Sequence, residues 1–151
     1  MKKRILFFLL FLLKLSLGSI VIADDIPVIV IAPSKTNQSY SSVGTSVTSI
    51  SSQEIQESGK FFLGEVLNDN STGMNYFRSG GYVTVTGIQL RGLPKRYSTV
   101  YIDGVKMSDP STSDNSFYFS NIMTNSIENV EILRGSNSSI YGSGAIGGVI
   151  N

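Results

Sequence analysis

Two arginines stand at matching places in the chain. Arg91 closes Ile88-Gln89-Leu90 and Arg134 closes Val130-Glu131-Ile132-Leu133, and a glycine follows each at once. An arginine at a strand end can simply face water. A repeated strand–Arg–Gly ending can equally hold a guanidinium in one place for a carboxylate, whose two oxygens suit its planar fork. Spacing alone leaves both readings open. Other chemistry is scarce. The chain has neither histidine nor cysteine, which removes the commonest general base, the commonest metal ligand and any thiolate site. Serines are abundant, but no histidine stands ready to activate one. Gly142-Ser143-Gly144-Ala145-Ile146-Gly147 spells G-x-G-x-x-G. That pattern binds dinucleotides only directly after a strand and at the start of a helix, whereas seven residues separate Arg134 from Gly142. Glu128 and Glu131 are a candidate pair of carboxylates three residues apart, and they read as a solvated polar face at a helix–strand junction. Asp109 and Asp114 with Asn115 offer loop oxygens for a weak Ca²⁺ site, but plain loop polarity accounts for them better. No catalytic residue, metal site or cofactor is expected.

The elements that would position these residues are short. Ser51-Ser52-Gln53-Glu54 matches a capping box, with a Ser N-cap and Glu three residues on. It predicts a helix over Ser52–Ser58, ended by Gly59 at C′. Phe61–Asn68 predicts a second short helix, closed by turn residues from Asp69 to Gly73. Strands are expected at Thr45–Ile50, Thr99–Ile102 and Val130–Leu133, with another starting at Val149. Asp103-Gly104 is a tight-turn signal. Val83-Thr84-Val85 and Ile88-Gln89-Leu90 alternate apolar with polar, and their phase slips at Gly87, which suggests a β-bulge. Asn75–Tyr82 reads as an aromatic, Gly-containing loop and Lys106–Ser116 as a polar surface loop. Ile127–Asn129 reads as one helical turn. Short strands, two or three short helices and long loops make the fold class α+β.

The first residues carry a different message. Lys2, Lys3 and Arg4 precede the unbroken apolar run Ile5–Leu13, and Val21-Ile22-Ala23 precede Asp24-Asp25. A basic start, a short apolar stretch and small residues before a cut describe a secretory signal peptide over 1–23. Lys14 interrupts the run, whereas a membrane anchor needs about 20 apolar residues. Without 1–23 the chain keeps eight basic residues, twelve less Lys2, Lys3, Arg4 and Lys14, against eleven acidic ones, a net charge of −3. A mildly acidic protein is a poor partner for nucleic acid or anionic lipid. From Asp24 to Ala32 the sequence reads DDIPVIVIA, a β-branched run behind a proline. Such a run suits an edge strand, or a free arm that adds itself to another protein's sheet edge.

Three segments carry a resemblance to a known family. Ile88-Gln89-Leu90-Arg91-Gly92, then Val100-Tyr101-Ile102-Asp103-Gly104-Val105, then IENVEILRGSNSSIYGSGAIGGVIN over Ile127–Asn151 resemble successive motifs of the TonB-dependent outer-membrane receptor plug. SSQEIQESG and FLGEVLND are similar to that family's two short helices. The likeness runs from about Val43 to Asn151, and among subfamilies it leans toward cobalamin and siderophore receptors. It implies a small α+β plug, with a short mixed β-sheet, seated in an outer-membrane β-barrel of about 22 strands, whose wide lumen must be closed. It also implies that TonB, through its C-terminal domain, adds a strand to an N-terminal TonB box. By position the box is Ile26, Pro27, Val28, Ile29, Val30, Ile31 and Ala32, with Ile31 where the family often has Thr. Residues 24–42 become the box arm and linker, and 43–151 the plug. Arg91 and Arg134 match arginines that pair with glutamates of the barrel wall. Asn75–Tyr82 and Lys106–Phe117 match outward loops, and Tyr76, Phe77, Arg78, Tyr82 and Met107 are the expected contacts to a small nutrient such as a ferric siderophore or cobalamin. The expected location is the cell outer membrane. The family's barrel would begin where this chain stops, so three forms stay open: a plug whose barrel lies elsewhere, a stand-alone periplasmic plug, or a truncated receptor fragment.

Overall fold

A computed structural model describes residues 29–32 and 34–151. The expected signal peptide and Ile26, Pro27 and Val28 of the expected box lie outside the described residues. The elements run β1 (Ile29–Val30), β2 (Gln38–Ser39), β3 (Ser46–Ser51), α1 (Ser52–Glu57), α2 (Leu63–Asn70), β4 (Met74–Arg78), β5 (Thr86–Leu90), β6 (Ser98–Ile102), β7 (Val105–Met107), β8 (Asn129–Arg134), α3 (Ser138–Tyr141) and β9 (Gly148–Ile150). Five strands form one mixed sheet in the order β3-β8-β9-β6-β7, in which β6 and β9 are parallel and the other neighbours antiparallel. β1–β2 and β4–β5 are separate antiparallel pairs. This is the α+β architecture that the sequence predicts.

Side chains alternate across a strand, and the alternation of β8 divides the interior. Val130 and Ile132 face the main core, where they join Ile50, Val100 and Ile150 of the sheet, Ile55 of α1, and Leu63, Val66 and Leu67 of α2. Leu133 faces the other side, with Val47, Val149, Tyr141, Ala145 and Ala32. Glu131 lies on that second face and is only 2% exposed. Its neighbour Glu128 is exposed. The expected solvated pair of glutamates is therefore split: Glu131 is on a strand under covering chain, not on a polar face.

Local signals predict local structure well. Ser51 caps α1 in both directions: its hydroxyl accepts from the Glu54 N–H, and its own N–H donates to Glu54 Oε2 at 2.7 Å. Gly59 follows with φ +64. Asp103 (φ +50) and Gly104 (φ +79) make the two-residue turn between Ile102 and Val105, a conformation that both central residues must enter with positive φ.

Two expectations change in the β4–β5 pair. Asn75–Arg78, expected as loop, belongs to β4, paired in unbroken register from Met74↔Leu90 to Arg78↔Thr86. No bulge interrupts that register at Gly87. Gly87 is small for another reason: the Phe77 ring lies directly across from it, with its Cε1 only 2.7 Å from where a Cβ would stand. Val83, Thr84 and Val85, expected in a strand, form the turn, with Val83 at φ +65. The helical turn expected at Ile127–Asn129 sits earlier, as a 3-10 turn over Thr124–Ser126, because Asn129 already pairs with Ser51 in the sheet.

Ser51→Ala is expected to destabilise the fold by about 1 kcal/mol through loss of the cap, read by chemical denaturation. The two hydrogen bonds from Ser51, its backbone N–H first, hold the Glu54 carboxyl below its usual 4.5. A depressed carboxyl contributes stability above its unfolded value and loses it as pH falls through the folded one. The cap contribution is thus expected to be full above pH 4.5 and to fade below it. Glu54→Gln, which retains the reciprocal bond, should remove that fading.

Candidate functional site

The arm at the start of the described chain is docked, not free. β1 pairs with β2 through Ile29↔Ser39 and Val30↔Gln38. The following two residues turn their N–H groups onto Glu131. Ile31 donates to Oε1 at 2.8 Å and to Oε2 at 3.0 Å, and Ala32 donates to Oε2 at 2.5 Å. The Tyr141 hydroxyl donates to the Ala32 carbonyl. Burial, above all, pushes the Tyr141 phenol above its ordinary value. Tyr101 meets Tyr141 edge-on at 5.0 Å between ring centres, and Lys35 Nζ stands 4.9 Å from the Tyr141 ring centre. That is cation–π range. A cavity of about 850 Å³ opens beside this dock, with Ile31, Lys35, Leu63, Phe117, Phe119 and Ile127 in its lining.

Arg91 and Arg134 are brought together. Arg91 has φ +52, takes a 2.7 Å bond from its N–H to the Gly73 carbonyl, and lays its side chain past Gly73 and Gly135. Arg134 donates from Nη2 to Thr48 Oγ1 (2.5 Å) and Ser71 Oγ (2.9 Å), and from Nη1 to Ser46 Oγ (3.3 Å). Burial first, and then the like charge of Arg91, pull the Arg134 guanidinium below its ordinary value. Among the described residues neither arginine forms an ion pair, and Arg134 Nε is buried without a partner. Neutral hydroxyls thus position a cation that has no counter-charge among the described residues.

A second cluster gathers three of the five expected ligand contacts. Arg78 donates to Glu65 Oε1 at 2.8 Å and to the Tyr76 hydroxyl at 3.3 Å. These partners, the Tyr76 hydroxyl foremost, raise its guanidinium above the ordinary value. The guanidinium carbon lies 4.8 Å from the Tyr82 ring centre and 5.8 Å from that of Phe62, and those two rings stack at 5.5 Å. Tyr82 is 70% exposed, so the stacked cation presents an aromatic rim to solvent. Phe77 points to the opposite face of β4, over Gly87, because adjacent strand residues alternate. Met107 packs against the main core from edge strand β7. The sequence reading missed Phe62 and Glu65 here and Glu131, Tyr141 and Lys35 at the arm. Among the described residues no group of acidic side chains is placed to hold a metal ion.

Gly64 makes the Arg78 cluster possible, since the Tyr76 ring lies against it with Cδ2 2.7 Å from a would-be Cβ. Gly64→Ala is expected to displace Tyr76, loosen Arg78 and destabilise the fold by about 1–3 kcal/mol through overpacking, measured by denaturation and by loss of the Tyr76–Arg78 contact in a structure.

With that geometry in place, comparison with known proteins is direct. Residues 39–149 match the TonB-dependent receptor plug domain family. The chain is 44% identical over 73 residues to a vitamin B12 transporter BtuB of Photobacterium profundum, covering 48% of this chain and 12% of that one. It is 31% identical over 123 residues to the BtuB of Vibrio vulnificus strain YJ016, covering 82% of this chain and 20% of the transporter. The ferric yersiniabactin uptake receptor FyuA of Yersinia pestis superposes with a TM-score of 0.52 at 27% identity, over 71% of this chain and 16% of the receptor. The ferric enterobactin receptor PfeA of Pseudomonas aeruginosa shares the fold, with a TM-score of 0.54 at 22% identity, over 70% of this chain and 17% of its own. These relatives are transporters and receptors, not enzymes, and the chain spans about a fifth of the length of the V. vulnificus transporter. The chain belongs to the TonB-dependent receptor plug domain family.

Proposed function

We propose that this chain is the plug of an outer-membrane receptor and gates TonB-energised uptake of a small nutrient, of the ferric siderophore or cobalamin kind. The observation that carries the reading is the Arg91–Arg134 pair. A half-buried guanidinium held by three hydroxyls, beside a second arginine and with neither in an ion pair among the described residues, fits a surface that meets acidic groups of a surrounding barrel wall. Removing one partner of such a pair leaves an uncompensated charge, so the plug and its barrel would depend on each other. The stacked Arg78, Tyr76 and Tyr82 are the ligand-facing residues in this reading, with Phe62 completing the rim. Phe77 and Met107 serve packing. Residues 1–23 act as the export signal, 24–42 as the arm and linker that carry the TonB box, and 43–151 as the plug. The outer membrane is its location. The β-branched segment Ile26–Ala32 offers its edge to TonB as an added strand.

The experiment is a calorimetric titration of the full chain, held in mild detergent, with the C-terminal domain of TonB. Saturable binding that disappears when residues 26–32 are deleted is expected. Equal binding by the parent and the deletion, or none by the parent, would overturn the assignment of the box.

A further inference from the structure

Arg78 stands at an aromatic rim, yet its charge is already matched inside the chain. Its Nη2 donates to Glu65 Oε1 at 2.8 Å and to the Tyr76 hydroxyl at 3.3 Å, and its Nε is buried with no partner. The two charged side chains are 20% and 28% exposed, so water screens them less than it screens an ordinary surface pair. Glu65 lies in the first turn of α2, where a carboxylate also meets the positive end of the helix. Two separate attractions thus hold this carboxylate in place.

What the cluster turns outward is ring, not charge. Tyr82 is 70% exposed, with the guanidinium carbon 4.8 Å from its ring centre and Phe62 stacked on it at 5.5 Å. Lys60, just before α2, is itself paired with Asp69 at 3.3 Å. Without residues 1–23 the chain carries a net charge of −3, so the chain as a whole does not draw anions. An anion that sought Arg78 would have to displace Glu65 and leave that carboxylate without its partner, which is costly. An uncharged ring needs no such exchange. It stacks on Tyr82 and displaces only water.

We propose that the rim of Phe62, Tyr76, Arg78 and Tyr82, neutralised by Glu65, selects a ligand that presents an uncharged ring face and rejects an anionic one. The inference rests on the reading of this rim as ligand-facing, and it names the chemistry of the nutrient there: the part that meets Tyr82 is flat and uncharged. Glu65 is the residue that sets this preference. It acts through Arg78 as a positioning residue, fixing the net charge of the rim without touching the ligand. Removing its charge converts a neutral rim into a cationic one.

The test is an NMR titration of the full chain in mild detergent with indole-3-acetamide and indole-3-acetate, which share a ring system and differ by one charge. The chain has no tryptophan, so every indole signal belongs to the probe. In the parent, the acetamide should shift the Phe62 and Tyr82 ring signals saturably and bind roughly tenfold more tightly than the acetate. In Glu65→Gln the order should reverse, by the factor of about ten expected of a hydrogen bond to a charged group. Tyr82→Ala, at an exposed position, should abolish the Phe62 shifts. Equal binding of the two probes by the parent, tighter binding of the acetate, an unchanged order in Glu65→Gln, or no saturable shift with either probe would each overturn the inference. Should Glu65→Gln not fold, the parent's preference and its loss in Tyr82→Ala decide. A parent that prefers the acetamide but does not bind TonB would keep the selectivity of the rim and remove the receptor reading. A parent that binds TonB but prefers the acetate would do the opposite.

Discussion

The two-residue alternation of β8 is the constraint on which the rest depends. Val130 and Ile132 close the main core with α1 and α2, while Leu133 covers the second face with Val149 and Tyr141 of α3. Glu131 sits between Val130 and Ile132 in sequence and on the opposite face from both. A shift of register by one residue would put this carboxylate into the main core and Val130 and Ile132 under the arm. The strand is pinned on both sides, by six residue pairs with β3 and by β9 continued to Asn151. Position of the arm, burial of the carboxylate and reach of Arg134 at the strand end all follow from that one register.

The same logic governs the Arg78 cluster. Stacking a guanidinium among three rings requires the backbone beneath to come close, and Gly64 provides that approach for Tyr76. Gly87 does the same for Phe77 on the opposite face. β4 is therefore a two-sided element: its Tyr76 and Arg78 side meets Glu65 of α2, and its Phe77 side meets Gly87 and Lys95. The polar loop after β7 is tied in from that second side. Lys95 Nζ is 3.5 Å from Asp114 and 4.5 Å from the ring centre of Tyr118, so β5 and the loop share an anchor.

What was legible in the sequence is what short range decides. The capping box at Ser51 and Glu54, the Asp103-Gly104 turn and the strands at Thr99–Ile102 and Val130–Leu133 are fixed by neighbours within a few residues. The motif-bearing segments also gave the family. The aromatic run from Asn75 read as a loop because its glycines and arginine masked a strand whose partner, Thr86–Leu90, is visible only once paired. Gly87 looked like a bulge because a missing side chain breaks an apolar–polar count. Its cause is a ring from the opposite strand. Glu131 read as solvated because Glu128 stands beside it and nothing nearby covers it. The cover comes from Ile31 and Ala32, a hundred positions earlier, and no window of neighbouring residues contains that information.

Arg134 and Glu131 are three residues apart on one strand, on opposite faces, and each is a charge lacking a charged partner among the described residues. They are stabilised in different ways. Arg134 meets hydroxyls and retains an unpartnered Nε, so its surroundings are incomplete and outward-looking. Glu131 is sealed by the backbone N–H groups of Ile31 and Ala32. Main-chain donors differ from a lysine or arginine in what they commit. A buried ion pair commits two charges to each other, and separating them is strongly unfavourable. Two amides can trade the carboxylate for water or for an added strand with a smaller change in free energy. One strand thus carries a cation held by hydroxyls on one face and a carboxylate held by main-chain N–H groups on the other.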